Sequence, residues 1–136
     1  MVLVFDIERV WGFLAMRMPD LARADGMVVF GLERRGAVVA AVVFEGINRY
    51  HCWMHMAVAP GQFVGREFIR TAFLYAFRAC CVQTVRGYVE ASNAAARNID
   101  ERLGFRVDAL LSGAAKDGGD VIVYAMRRDE CRFLEA

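Results

Sequence analysis

An α+β fold in a three-layer (α/β) arrangement, with helices on the faces of a mixed sheet, is what this chain predicts, and three observations carry the expectation. Residues 27 to 46, "MVVFGLERRGAVVAAVVFEG", split into two β-rich apolar runs around Arg34, Arg35 and Gly36, the pattern of an antiparallel hairpin. Further along, segments with helical periodicity alternate with strand-like ones, and strand-helix-strand crossovers combined with hairpins imply a mixed sheet. Finally, 136 residues that are 57% hydrophobic and 24% charged suffice for one substantial core. With neither linker nor repeat in view, residues 1–136 are expected to form one domain.

Each element follows from its own local signal. In "DIERVWGFLAMRM" (6 to 18) the apolar positions fall near helical spacing and end before Pro19, so a helix is expected. Trp11, Phe13 and Met16 read as its packing face or as the lining of a groove. "RYHCWMHMAVA" (49 to 59) reads as a third strand, with Met54 and Met56 turned to the core. After the loop "PGQFVG", residues 66 to 81 fit an amphipathic helix. Then come the strand "TVRGYVEA", a helix over "NAAARNIDERL", the strand "FRVDALLSG", a polar turn and a last strand "VIVYAMRR".

Composition excludes several classes. A formal net charge of +1 gives no electrostatic footprint for nucleic acid, although Lys116 is the only lysine and a local arginine face of Arg97, Arg102, Arg106, Arg127 and Arg128 can be drawn. Cys52, Cys80, Cys81 and Cys131 include no CxxC pair, and Cys80 and Cys81 are expected to pack from a helix as reduced thiols. His51 and His55 lie four apart on a strand, about 13 Å at 3.3 Å per residue, too far to share a metal ion. No uncharged run approaches a membrane span and no signal peptide is visible, so a cytoplasmic protein with no membrane partner is expected.

The most informative stretch is "EASNAAARNIDERLGF" (90 to 105). Ser92 or Asn93 can cap a helix by satisfying an amide that its first turn leaves without a partner. Ala94, Ala95 and Ala96 favour helix and leave room for a backbone or a ligand, and Gly104 ends the helix. On local grounds a well-capped helix and a ligand site are both open readings.

Here the sequence resembles a known superfamily, the Gcn5-related N-acetyltransferases (GNAT). "ASNAAARNIDERLGF" is similar to that family's late motif, in the version found in ribosomal-protein alanine acetyltransferases, and "MAVAP" resembles its fourth-strand motif. "DGGDVIVYAMRRDEC" resembles the C-terminal hairpin of small members from phage and prophage genomes. The resemblance spans residues 27 to 126 and implies a mostly antiparallel sheet whose fourth and fifth strands splay apart. It also implies acetyl-CoA as acyl donor, with its pantetheine arm against Met56, Ala57 and Val58, its pyrophosphate at Val64, Gly65 and Arg66, and Asn93 and Arg97 facing the cofactor. Phe105 would be core.

Two departures from the family pattern stand out. The pyrophosphate loop is degenerate, "PGQFVGREFIR", and places Glu67 where it opposes an anion. The family's usual acid and base positions hold Asp100 and Tyr88, leaving Glu90 or His55 as the candidate base and Tyr88 or Tyr124 as the candidate acid. The expectation is an acetyl-CoA-dependent N-acetyltransferase acting on the primary amine of a small-molecule or protein acceptor. The alternatives are a GNAT-fold binding protein without transfer activity and a modifier of a host macromolecule. Sheet edges in so small a domain invite a homodimer.

Overall fold

The computed structural model describes residues 1–135. Seven strands form one sheet: β1 (Val2–Val4), β2 (Val28–Arg34), β3 (Ala37–Glu45), β4 (His51–Val58), β5 (Thr84–Glu90), β6 (Arg106–Leu111) and β7 (Val121–Arg127), in the order β1-β2-β3-β4-β5-β7-β6. Three helices flank it: α1 (Ile7–Arg17), α2 (Arg66–Leu74) and α3 (Ala94–Leu103). All neighbouring strands are antiparallel except β4 and β5. The expected mixed, mostly antiparallel sheet is therefore present.

The hairpin turns where Arg34, Arg35 and Gly36 predict it, with Arg35 and Gly36 both at positive φ. Alternation along the central strands sorts side chains between two cores. On one side, Phe30, Phe44, Cys52, Met54 and Val85 pack against Phe68, Phe73 and Phe77 from α2 and its extension. On the other, Ala41, Val43 and Ala57 pack against Val10, Phe13 and Leu14 of α1. Burying one such phenylalanine contributes about 1.5–3 kcal/mol.

Several local expectations are corrected. β1 was not anticipated: three residues beside Asp6 are too few to carry a periodicity, and pairing with β2 makes them a strand. The helix over 66 to 81 is α-helical only to Leu74, continues as a π-turn over Tyr75–Ala79, and stops there. Cys81 therefore does not pack from a helix: it is exposed, in the left-handed region at φ 59°, whereas Cys80 keeps a partly buried place. Met16 points to solvent, while Phe13 is buried and Trp11 packs partly against the α1 core. Phe105 and Met54 are core, as expected.

Candidate functional site

β4 and β5 run parallel for only three residue pairs, His51 with Thr84, Cys52 with Val85 and Trp53 with Arg86. Past that point β4 stays paired with β3 through Val58, and β5 stays paired with β7 through Glu90, so the two halves of the sheet diverge. The facing edges of residues 54–58 and 87–90 have no strand partner, which leaves backbone donors and acceptors open to a ligand. Gly87 stands at the apex of the gap, where a Cβ would come within 3.3 Å of the Met54 carbonyl oxygen.

Side chains from both strands meet on the α1 face of this gap. The rings of His55 and Tyr88 lie edge-to-face at 5.1 Å between centroids, and Trp53 and Tyr88 do the same at 5.7 Å. His55 is nearly enclosed, and its Nε2 lies 3.2 Å from the Glu45 carboxylate on β3. Because an ionised carboxylate only accepts, Nε2–H is the donor to Glu45, and in the neutral ring that tautomer leaves the lone pair on Nδ1. Burial, reinforced by the Glu45 charge, pushes the Tyr88 hydroxyl above its ordinary pKa, so it holds its proton at neutral pH.

The other sequence candidates are distributed around this cluster. Glu90 lies two residues beyond Tyr88 on the same face, with its carboxylate accepting the Lys116 amide N–H at 3.0 Å. Tyr124, opposite Gly87 on β7, projects to the α2 side of the sheet, where its hydroxyl is fully buried and has no hydrogen-bond partner. Met56 and Val58 pack toward the α2 core and Ala57 toward α1. His51 carries the ring of Trp53 edge-on at 5.1 Å, and burial followed by the nearby Arg86 charge lowers its pKa.

The helices α2 and α3 begin in the connections that follow β4 and β5. Gly65 caps α2 at φ 83° with no side-chain hydrogen bond, so the first-turn amides after Val64 have no side-chain acceptor. Arg66 reaches toward the Phe133 ring, and Glu67 occupies the first turn. An open depression of about 630 Å³ adjoins this end and is bordered by Glu33, Arg34, Arg35, Arg66 and Glu67. At α3, Asn93 Oδ1 accepts the Ala96 N–H at 3.1 Å, so Asn93 is the N-cap. Arg97 Nη1 donates to the Ala91 carbonyl at 3.1 Å, which binds the first turn of α3 to the end of β5.

This architecture has solved counterparts. A chimera of the spermidine N-acetyltransferase SpeG from Vibrio cholerae with hSSAT superposes with TM-score 0.78 over 99% of this chain and 100% of its own, at 16% identity. The N-acetyltransferase PseH of Campylobacter jejuni, solved in complex with acetyl coenzyme A, matches with TM-score 0.62 over 90% of this chain and 80% of its own, at 19% identity. The fold is that of the GNAT acetyltransferases. No protein-family model and no curated protein sequence matches the chain, so the relation is one of architecture.

Within the GNAT fold, sequence reasoning missed Glu45. Its link to His55 runs diagonally across β3 and β4, and the hairpin register that pairs Glu45 with Trp53 was the signal that could have found it. Also missed was the contact of the β6–β7 loop with the segment after α1, made by the ion pair of Lys116 and Asp20. Among the described residues, no group of three or more metal-ligating side chains occurs. Among the described residues, no helix is long and apolar enough to cross a membrane.

Proposed function

We propose that this chain is an N-acetyltransferase that takes the acetyl group of acetyl-CoA and delivers it to a primary amine of a small-molecule acceptor. The observation that carries the reading is the gap between β4 and β5 with His55 and Tyr88 meeting across its α1 face. The unpaired edges of Met56, Ala57, Val58 and β5 suit the amide-bearing arm of the donor, and the absent Cβ at Gly87 leaves its narrow end open. The amides after Val64 and Gly65, with Arg66, suit its phosphates, and Asn93, at the start of α3, is assigned a second contact.

The donor supplies an activated thioester. The chain's own groups then divide the proton work. An incoming amine must lose a proton before it can attack, and His55, oriented by Glu45, offers Nδ1 for it. The thiolate must gain one, and Tyr88 and Tyr124 hold hydroxyls on opposite faces of the gap; the orphaned Tyr124 hydroxyl gains a partner if sulfur occupies the apex. Glu90 remains a second carboxylate on the acceptor face. Trp53, Tyr88, Glu45 and Glu90 together make an aromatic, acidic surface suited to an aliphatic ammonium, in keeping with the spermidine acetyltransferases among the structural neighbours.

Glu67 in the first turn of α2 favours a second reading, a GNAT-fold protein that binds coenzyme A or a partner without transfer. Calorimetric titration with acetyl-CoA and with free coenzyme A, followed by thiol-release assays on aliphatic amines, separates the two. The transferase reading expects micromolar binding and turnover, with His55→Ala lowering kcat by about 10²–10⁴-fold. Binding without turnover supports the second reading, and no binding by either ligand overturns both.

A further inference from the structure

We propose that Lys116 is an internal acetyl acceptor, because the only lysine in the chain is docked by its own backbone onto the end of β5 that carries the candidate catalytic face. The inference rests on the transferase reading and adds to it a modification site within the same molecule.

The chemistry begins with scarcity. Of 17 basic residues, all but Lys116 are arginine, and a guanidinium stays charged and offers no amine lone pair for acylation. Lys116 is therefore the only side-chain amine in the protein. Its location is specified by hydrogen bonds rather than left to a mobile loop. Between β6 and β7 the Ala115 amide donates to the Gly119 carbonyl at 2.9 Å, Asp117 holds Gly119, and Asp120 holds Gly113. The Lys116 amide itself donates to Glu90 Oε1 at 3.0 Å, while Ala115 beside it is buried.

Reach follows from strand geometry. Glu90 and Tyr88 share a face of β5, about 6.6 Å apart at 3.3 Å per residue, a span comparable to the extended stem of a lysine. At rest the Lys116 ammonium pairs with Asp20, and both side chains are about two-thirds exposed, so little free energy opposes its swinging away. Nζ then loses a proton to His55 and attacks the thioester carbonyl carbon. The new C–N bond replaces the C–S bond, the sulfur departs as thiol with a tyrosine proton, and one proton is released to solvent overall. The product amide is uncharged and can no longer pair with Asp20, so the contact between the 112–120 loop and the segment after α1 is released.

The test uses the full chain incubated with acetyl-CoA, read by intact mass and peptide mapping. The expected result is one acetyl group on Lys116, at a rate unchanged by tenfold dilution of the protein and lost when the chain is unfolded in urea. Lys116→Arg should take no acetyl group yet bind coenzyme A with unchanged Kd by calorimetry. As a readout independent of turnover, Lys116→Gln, which mimics the acetylated side chain, should raise hydrogen exchange in residues 18–27 and 112–120. Equal labelling of folded and unfolded chain, or labelling of the terminal amine alone, overturns the proposal. So does an unmodified Lys116 in a protein that acetylates spermidine, and in that case the transferase reading stands. Absence of both coenzyme A binding and turnover overturns the transferase reading and the Lys116 proposal together.

Discussion

The two crossover helices occupy equivalent positions in the sheet's connectivity and are held in opposite ways. α2 buries Phe68, Ala72 and Phe73 and, through its π-turn, Ala76 and Phe77. α3 has no buried residue and exposes Ile99. The ends reverse the contrast. α2 begins at an uncapped glycine, whereas α3 is capped by Asn93 and closed by Gly104 at φ 108°, with Arg132 donating to the Arg102 and Leu103 carbonyls at its far end. The difference teaches that a helix anchored by its side can leave its first amides free for an anion, while one without a core must spend its polar groups on holding itself.

Four measurements sharpen or break that contrast. Chemical denaturation of Phe73→Ala should show a loss of about 3–5 kcal/mol, against less than about 0.5 kcal/mol for Ile99→Ala; similar losses would erase the distinction. Gly65→Ala forces a side chain into backbone space almost reserved for glycine and should cost about 1–3 kcal/mol, together with weaker coenzyme A binding. Asn93→Ala should cost about 1 kcal/mol through the lost cap. Asn93→Ser keeps a capping oxygen, so any weakening of acetyl-CoA binding in that variant reports a ligand contact separate from the cap. The smallest effect belongs to Asp100 on α3, whose carboxyl is raised to about 6 by burial and then by Glu101. A raised carboxyl holds its proton more tightly in the folded than in the unfolded chain, so stability falls as pH rises from about 4 to about 6. Asp100→Asn should flatten Tm across that window and raise it at neutral pH.

Strands β2 to β5 and the capped helix at Asn93 were legible because their signals are local: alternation, a turn tripeptide, a capping side chain and a terminal glycine. The π-turn was not, since Tyr75 to Ala79 keep a helical apolar pattern and only packing against Phe30 and Phe44 reveals the wider turn. The candidate site was half legible. The family resemblance singled out Tyr88 and His55, and strand parity put Glu90 on the face of Tyr88, but Tyr124 turns to the opposite layer from Tyr88, and Glu45 joins His55 through a hairpin register that periodicity does not specify.

The three-pair seam between β4 and β5 has a thermodynamic consequence. A sheet that stops bonding halfway along its central junction leaves hydrogen bonds for a small molecule to make, so such a ligand acts as a missing strand. If acetyl-CoA occupies the seam as proposed, folding stability follows its supply, increasing by about 2.7 kcal/mol when the ligand reaches a hundred times its Kd. On the proposed function, the same polypeptide would be a tighter or looser object in a cell rich or poor in acyl thioesters.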